Sequence, residues 1–189
     1  MIDWNALEQS IDFKDPGPNK VLWVDSPNFG QRPDDAIIDT IVLHHTAGPT
    51  LAGTVKWFTM PESQVSAHFT VGKDGSIVQM VSCLNRAWHA GNSIDYKARK
   101  NVNDFSIGIE IVNIGDGKDP YPEAQIRAVE LLCEVLVEFY PIRQITSHEF
   151  IAEPEGRKND PIDFPWNRFE KIGVPLVYGR KSERHGGQG

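Results

Sequence analysis

Apolar residues along the chain change period several times, and each change marks an element. Ile37-Ile38-Asp39-Thr40-Ile41-Val42-Leu43-His44-His45 is β-branched and nearly continuous, the pattern of a strand buried on both faces, and Thr46-Ala47-Gly48-Pro49 stops it. Thr50 then suits the cap of a short helix that carries Leu51, Val55 and Phe58 at helical spacing. Ser66 to Val71 and Ser76 to Val81 are β-rich runs around Gly72-Lys73-Asp74-Gly75, which predicts a hairpin. In Phe105 to Val112 a period of two puts Ile107, Ile109 and Ile111 on one face of a second central strand, with Gly108, Glu110 and Val112 on the other. The longest helix is predicted over Pro122 to Tyr140, with Pro122 in its first turn and a stripe of Ile126, Val129, Cys133, Leu136, Val137 and Tyr140. Gln144 to Ser147 reads as a short strand and Pro165 to Ile172 as a last helix stopped by Gly173.

Between these elements the pattern is lost. Residues 82–105 are irregular and polar and read as one long loop. In the segment from His148 to Pro161, Pro and Gly interrupt the chain, which predicts no regular element there. Met1 to about Gly30 is rich in Asp, Pro and Asn, with one apolar run, Lys20 to Val24, that suits either an edge strand or packing over the core. Gly179 to Gly189 is small, polar and charged, the composition of a disordered tail, and His185 within it has no claim on a site. The expected organisation is an extension over residues 1–36, one domain over 37–173 and a tail over 174–189.

Composition narrows the classes of function. With 189 residues, 40% hydrophobic and 24% charged, the chain has enough apolar material for one core. A net charge of −7 argues against nucleic acid as a partner. No basic start precedes an apolar core at the N-terminus, and no run of 18 or more apolar residues occurs, so neither a secretion signal nor a membrane partner is expected. Cys83 and Cys133 are too far apart for a C-x-x-C unit, and Cys133 falls in the helical stripe as a core thiol.

Strong metal ligands stand where elements end: His44-His45 at a strand exit, then His148 and Asp160 in one loop. Imidazole and carboxylate are common zinc donors, and a catalytic zinc keeps three protein ligands with a fourth position open. Ala152 stands where an H-E-x-x-H helix needs its second His, so that motif is absent. Glu110 on an apolar strand would lose hydration if buried, at considerable cost without a partner.

Five stretches in order complete the picture: Ile41-Val42-Leu43-His44-His45-Thr46-Ala47, Val65-Ser66-Ala67-His68-Phe69, Ala87-Trp88-His89-Ala90-Gly91, Asn103 to Glu110, and His148 through Arg157-Lys158-Asn159-Asp160-Pro161. Together they resemble the zinc-dependent N-acetylmuramoyl-L-alanine amidases, the family that includes phage amidase lysozymes, AmpD-like muropeptide amidases and peptidoglycan recognition proteins. The resemblance implies an α/β fold, a single domain with a central mixed β-sheet flanked by helices. It implies one zinc ion held by His44, His148 and Asp160, with Glu110 as the catalytic carboxylate and Lys158 beside the metal to stabilise an oxyanion. Trp88, His89, Arg157, His68 and His45 are its candidate substrate contacts, although alternation turns His45 away from His44; Arg86 reads as a surface cation. The implied substrate is peptidoglycan or an anhydro-muropeptide, cut between the lactyl group of N-acetylmuramic acid and L-alanine by a monomer.

Two rival readings are a non-catalytic peptidoglycan-binding module and a zinc hydrolase acting on another peptide amide. The expected location is cytoplasmic, in muropeptide recycling, with endolysin-like release to the wall as the alternative. One departure stands out: from His148 to Asp160 there are 12 positions where the AmpD-like pattern has ten, the excess falling around Glu153-Pro154-Glu155, and Phe150 stands where that pattern has Asp.

Overall fold

The computed structural model describes residues 21–182. In chain order its strands and α-helices are β1 (Val21–Trp23), β2 (Phe29–Gln31), β3 (Thr40–His45), α1 (Leu51–Thr59), β4 (Phe69–Val71), β5 (Ile77–Gln79), β6 (Asn85–Ala87), β7 (Ser106–Ile111), α2 (Glu123–Phe139), β8 (Gln144–Ser147), α3 (His148–Ile151) and β9 (Leu176–Val177). Seven strands form one sheet in the order β1-β5-β4-β7-β3-β8-β9, and β2 pairs with β6 in a small second sheet. Every neighbouring pair in the large sheet is parallel except the β4–β5 hairpin, so the fold is α/β with a mixed central sheet.

Alternation along β3 and β7 divides the molecule. Ile41, Leu43, Ile107, Ile109 and Ile111 join Ile145 and the α2 residues Ile126, Val129, Leu132, Cys133 and Leu136 in the main core. Each such aliphatic side chain contributes about 1.5–3 kcal/mol through burial. Val42 belongs to a separate cluster on the opposite side, with Ala90, Val102, Phe105, Phe150 and Ile151. Phe58 of α1 packs with Ala67, Val78 and Met80 in a third. Thr50 caps α1, its hydroxyl accepting the Gly53 N–H at 3.1 Å. Pro122 stands at the N-cap of α2 rather than inside its first turn, leaving Glu123 to open the helix.

Several sequence expectations change. The long loop over 82–105 contains β6 and a 3-10 turn, Val102–Asp104, and β6 finds its partner in β2. The last helix, Trp166–Ile172, is 3-10 and ends on Gly173 at φ 81°, a left-handed conformation that glycine adopts without a Cβ penalty. Past Gly173 the sheet continues into β9, so residues 174–177 belong to the fold. At the other end β1 is an edge strand, the first of the two placements that the apolar run allows. Arg32, just after β2, donates to the carbonyls of Cys83, Asn103, Asp104 and Ser106 at 3.1, 2.9, 2.9 and 2.7 Å, fastening the 21–36 segment to the entry of β7. Residues 1–20 of the expected extension, and 183–189 of the expected tail with His185, lie outside the described residues.

Candidate metal and catalytic site

The site forms where the parallel strands β3, β7 and β8 end. His44 and Glu110 are register partners on β3 and β7. β8 ends at Ser147, whose hydroxyl accepts the Phe150 N–H at 3.1 Å and caps α3, so His148 begins a helical turn where the sequence predicts irregular backbone. Asp160 returns to that turn: its carbonyl accepts the Glu149 N–H at 2.9 Å.

Three donor atoms converge. Nδ1 of His44 and Nδ1 of His148 are 2.9 Å apart, and Oδ2 of Asp160 is 3.0 Å from the latter and 3.3 Å from the former. Ligand atoms bonded tetrahedrally at about 2.0–2.1 Å stand roughly 3.3 Å from one another, so a triangle of these edges fits one small ion. All three side chains are buried, and they are the one such His/Cys/Asp/Glu group among the described residues. Burial and the neighbouring His148 hold His44 down to about 4, keeping its ring neutral as a ligand must be. Burial alone would raise the Asp160 carboxyl, but hydrogen bonds and charge from His148 and His44 hold it well below the ordinary range.

A second layer fixes which nitrogen faces the ion. Nε2 of His148 lies 3.2 Å from the Ala90 carbonyl, the arrangement in which Nε2–H donates and Nδ1 keeps its lone pair. Nε2 of His44 meets Nδ1 of His89 at 2.9 Å, and Nε2 of His89 meets the Ser106 hydroxyl at 3.2 Å. The tautomers that free Nδ1 of His44 have each Nε2–H donating along this row. Asn103 anchors the segment, its Oδ1 accepting the N–H groups of His89 and Ala90 at 3.2 and 2.8 Å. The His89 ring lies against Gly108, where any Cβ would collide with it.

Glu110 is half-buried, and its Oε2 is enclosed without a hydrogen-bond partner among the described residues. Burial first, then the Asp160 charge, push its carboxyl well above the usual range against the opposing pull of Lys158. Lys158 is exposed and makes no hydrogen bond or ion pair among the described residues. Both line one cavity of about 670 Å³, together with His45, Trp57, Trp88, His89, His148, Arg157 and Asp160.

The other predicted residues divide. Trp88 and His89 form cavity wall, while His45 lines the edge and accepts the Ile162 N–H on Nδ1 at 3.3 Å. His68 is not on the wall: it is wholly enclosed, its Nδ1 accepting the Gly108 N–H at 2.9 Å, so the expectation of a substrate contact does not match its position. Arg157 lines the cavity but spends Nε on the Glu153 carbonyl and Nη2 on those of Ala90 and Asn92, at 2.9, 3.2 and 2.8 Å. Arg86 is ion-paired with Asp104 away from the cavity. Sequence reasoning missed Ser106 and Gly108 as supports and Trp57 as wall; the one available signal was a glycine interrupting an otherwise apolar strand.

The fold and the triad together describe an α/β domain with a metal site at the carboxyl ends of its parallel strands. The chain belongs to the N-acetylmuramoyl-L-alanine amidase family, whose sequence profile matches residues 33–163. It is 37% identical over 174 residues to the 1,6-anhydro-N-acetylmuramyl-L-alanine amidase AmpD of Citrobacter freundii, covering 80% of this chain and 89% of that one. A solved AmpD derivative superposes with a TM-score of 0.67 at 34% identity, covering 80% of this chain and 93% of the other. The amidase AmiD of Escherichia coli, solved with anhydro-N-acetylmuramic acid-L-Ala-D-γ-Glu-L-Lys, gives 0.66 at 30% identity, over 77% of this chain and 62% of AmiD. Among the described residues no helix is long and apolar enough to cross a membrane.

Proposed function

We propose that this chain hydrolyses the amide between the lactyl group of N-acetylmuramic acid and L-alanine in anhydro-muropeptides, with one zinc ion held by His44, His148 and Asp160. The observation that carries the reading is the convergence of three donor atoms, two of them on the cavity-lining residues His148 and Asp160, beside an unpartnered carboxylate oxygen on Glu110 in the same cavity wall. Two imidazoles and a carboxylate are a donor set that suits zinc and leaves a position for water.

Zinc bound there supplies Lewis acidity toward the scissile carbonyl and acidifies water. Glu110 takes a proton from the attacking water on Oε2 and releases it to the departing L-alanine nitrogen. The ammonium of Lys158, which has no hydrogen bond or ion pair among the described residues, offers positive charge to the carbonyl oxygen as charge builds, worth about 3 kcal/mol in comparable sites. Trp57 and Trp88 give the cavity flat apolar walls for sugar or peptide. Arg157 keeps Nη1 for a stem-peptide carboxylate, its other groups being engaged with backbone.

The test combines metal analysis with the appearance of new L-alanine amino termini from soluble anhydro-muropeptides and from intact sacculi. Zinc at about one per chain with product from the soluble fragments is expected. Faster cutting of sacculi would move the work from cytoplasmic recycling to wall lysis, and no product from either substrate would sink the amidase reading. Glu110→Ala is expected to keep its zinc while turnover falls about 10²–10⁴-fold.

A further inference from the structure

The lengthened loop between His148 and Asp160 has a partner that the mechanism does not use. Its three glutamates meet three consecutive residues near the C-terminus: Arg180 Nε lies 3.5 Å from Glu149, Lys181 Nζ 2.6 Å from Glu153, and the N–H and hydroxyl of Ser182 donate to Glu155 at 3.0 and 2.6 Å. Lys181 also stands over the Phe150 ring, 5.6 Å from its centroid. The Glu155 carboxyl is held below its usual range by the Ser182 bonds.

Glu153 is the junction. Its backbone N–H donates to the Asn92 carbonyl at 3.0 Å, and its own carbonyl accepts from Asn92 Nδ2 at 3.3 Å and Arg157 Nε at 2.9 Å. Its side chain alone reaches the C-terminal segment, and the pair is sheltered, Lys181 being 25% and Glu153 30% exposed. The segment starts from β9, which pairs with β8, the strand that delivers His148. Both ends of the contact thus share one rigid base, and the exposed stretch between them carries Arg157, Lys158 and Asn159 up to Asp160. A loop of this length opens locally at little cost unless tied at more than its ends.

We propose that residues 180–182 form a strap that positions the metal loop, with Lys181 and Glu153 as its positioning residues, holding Lys158 and Asp160 toward the site. The proposal rests on the amidase reading only for what Lys158 and Asp160 do. Its test needs no substrate: trypsin cleavage of the Arg157–Lys158 bond, followed by mass spectrometry on the zinc-loaded full chain, alongside the rate of zinc release to a chelator. Lys181→Glu and Glu153→Lys are each expected to raise both rates about threefold, in the range of one partly exposed ion pair, with the global unfolding midpoint unchanged. A lysine at 153 precedes Pro154 and adds no ready tryptic site. The double charge swap is expected to return both rates toward wild type. Single variants that match wild type, or a double swap no better than the singles, would overturn the strap. A protected loop in a chain that releases no L-alanine amino terminus would support it while sinking the amidase reading.

Discussion

Glu110 carries a cost to the fold that accords with the catalytic role proposed for it. Oε2 is enclosed and unpartnered, with Asp160 as a nearby negative charge, so the folded state holds the Glu110 proton more tightly than the unfolded chain does. For a carboxyl raised in this way, the folded state binds more protons above the usual value of 4.5, and stability falls as pH rises through the shifted range. In metal-free protein, Glu110→Gln is therefore expected to raise the unfolding midpoint at neutral pH and flatten its decline as pH rises above the usual value of 4.5, as thermal melts over a pH series would show. An unchanged pH slope would mean that Glu110 is not the buried acid described. His44, His148 and Asp160 were legible as ligands because their residue types stand at element ends, but their grouping came from the family resemblance. Arg157 and His68 were not legible in that way: whether an arginine faces a ligand or three carbonyls depends on contacts 65 and 67 residues distant in sequence.

At the scale of elements, β7 carries two tasks on alternate residues, Ile107, Ile109 and Ile111 for the core and Gly108 and Glu110 for the site. A methyl at position 108 would enter the His89 ring, and His89 holds Nε2 of His44. Gly108→Ala is expected to cost about 1–3 kcal/mol by overpacking. It should also weaken zinc binding about tenfold by disturbing a supporting hydrogen bond, which calorimetric titration with zinc would measure. Zinc affinity equal to wild type would show that the row from His44 to Ser106 does not position the ligand. β3, β7 and α2 were readable because long apolar patterns admit few alternatives. β2 and β6 were not: each has three residues, Gly30 interrupts one, and Arg86 of the other points to an ion pair. The turn of α3 was hidden because Ser147, its cap, reads equally well as the last residue of a strand.

For the molecule as a whole, the sheet is a partition with an aliphatic core on the α2 side and the ligand-bearing cavity at its carboxyl edge. Three buried ligands that come together only in the folded chain couple metal to stability. For the proposed zinc at a hundredfold above its dissociation constant, the coupling would be about 2.7 kcal/mol. Chelation is therefore expected to lower the unfolding midpoint by several degrees, about 2–4 °C per kcal/mol for a chain of this size, and added zinc to restore it. A midpoint indifferent to chelator would deny that the triad binds metal in the native state. The single α/β domain was legible from the alternation of strand and helix patterns, whereas the assignment of residues 174–177 to the sheet was not, because two residues, Leu176 and Val177, are too few to show a period.

The wide separation of the ligands along the chain has a consequence for synthesis. His44 and His148 meet across 104 residues, and Asp160 lies a further turn of loop beyond. During synthesis His44 stands alone while the next 104 residues are added, and His148 and Asp160 then follow almost together. Capture of the ion is thus confined to chains extended past Asp160 with β3 already beside β8, so firmly bound metal would report correct threading of the sheet.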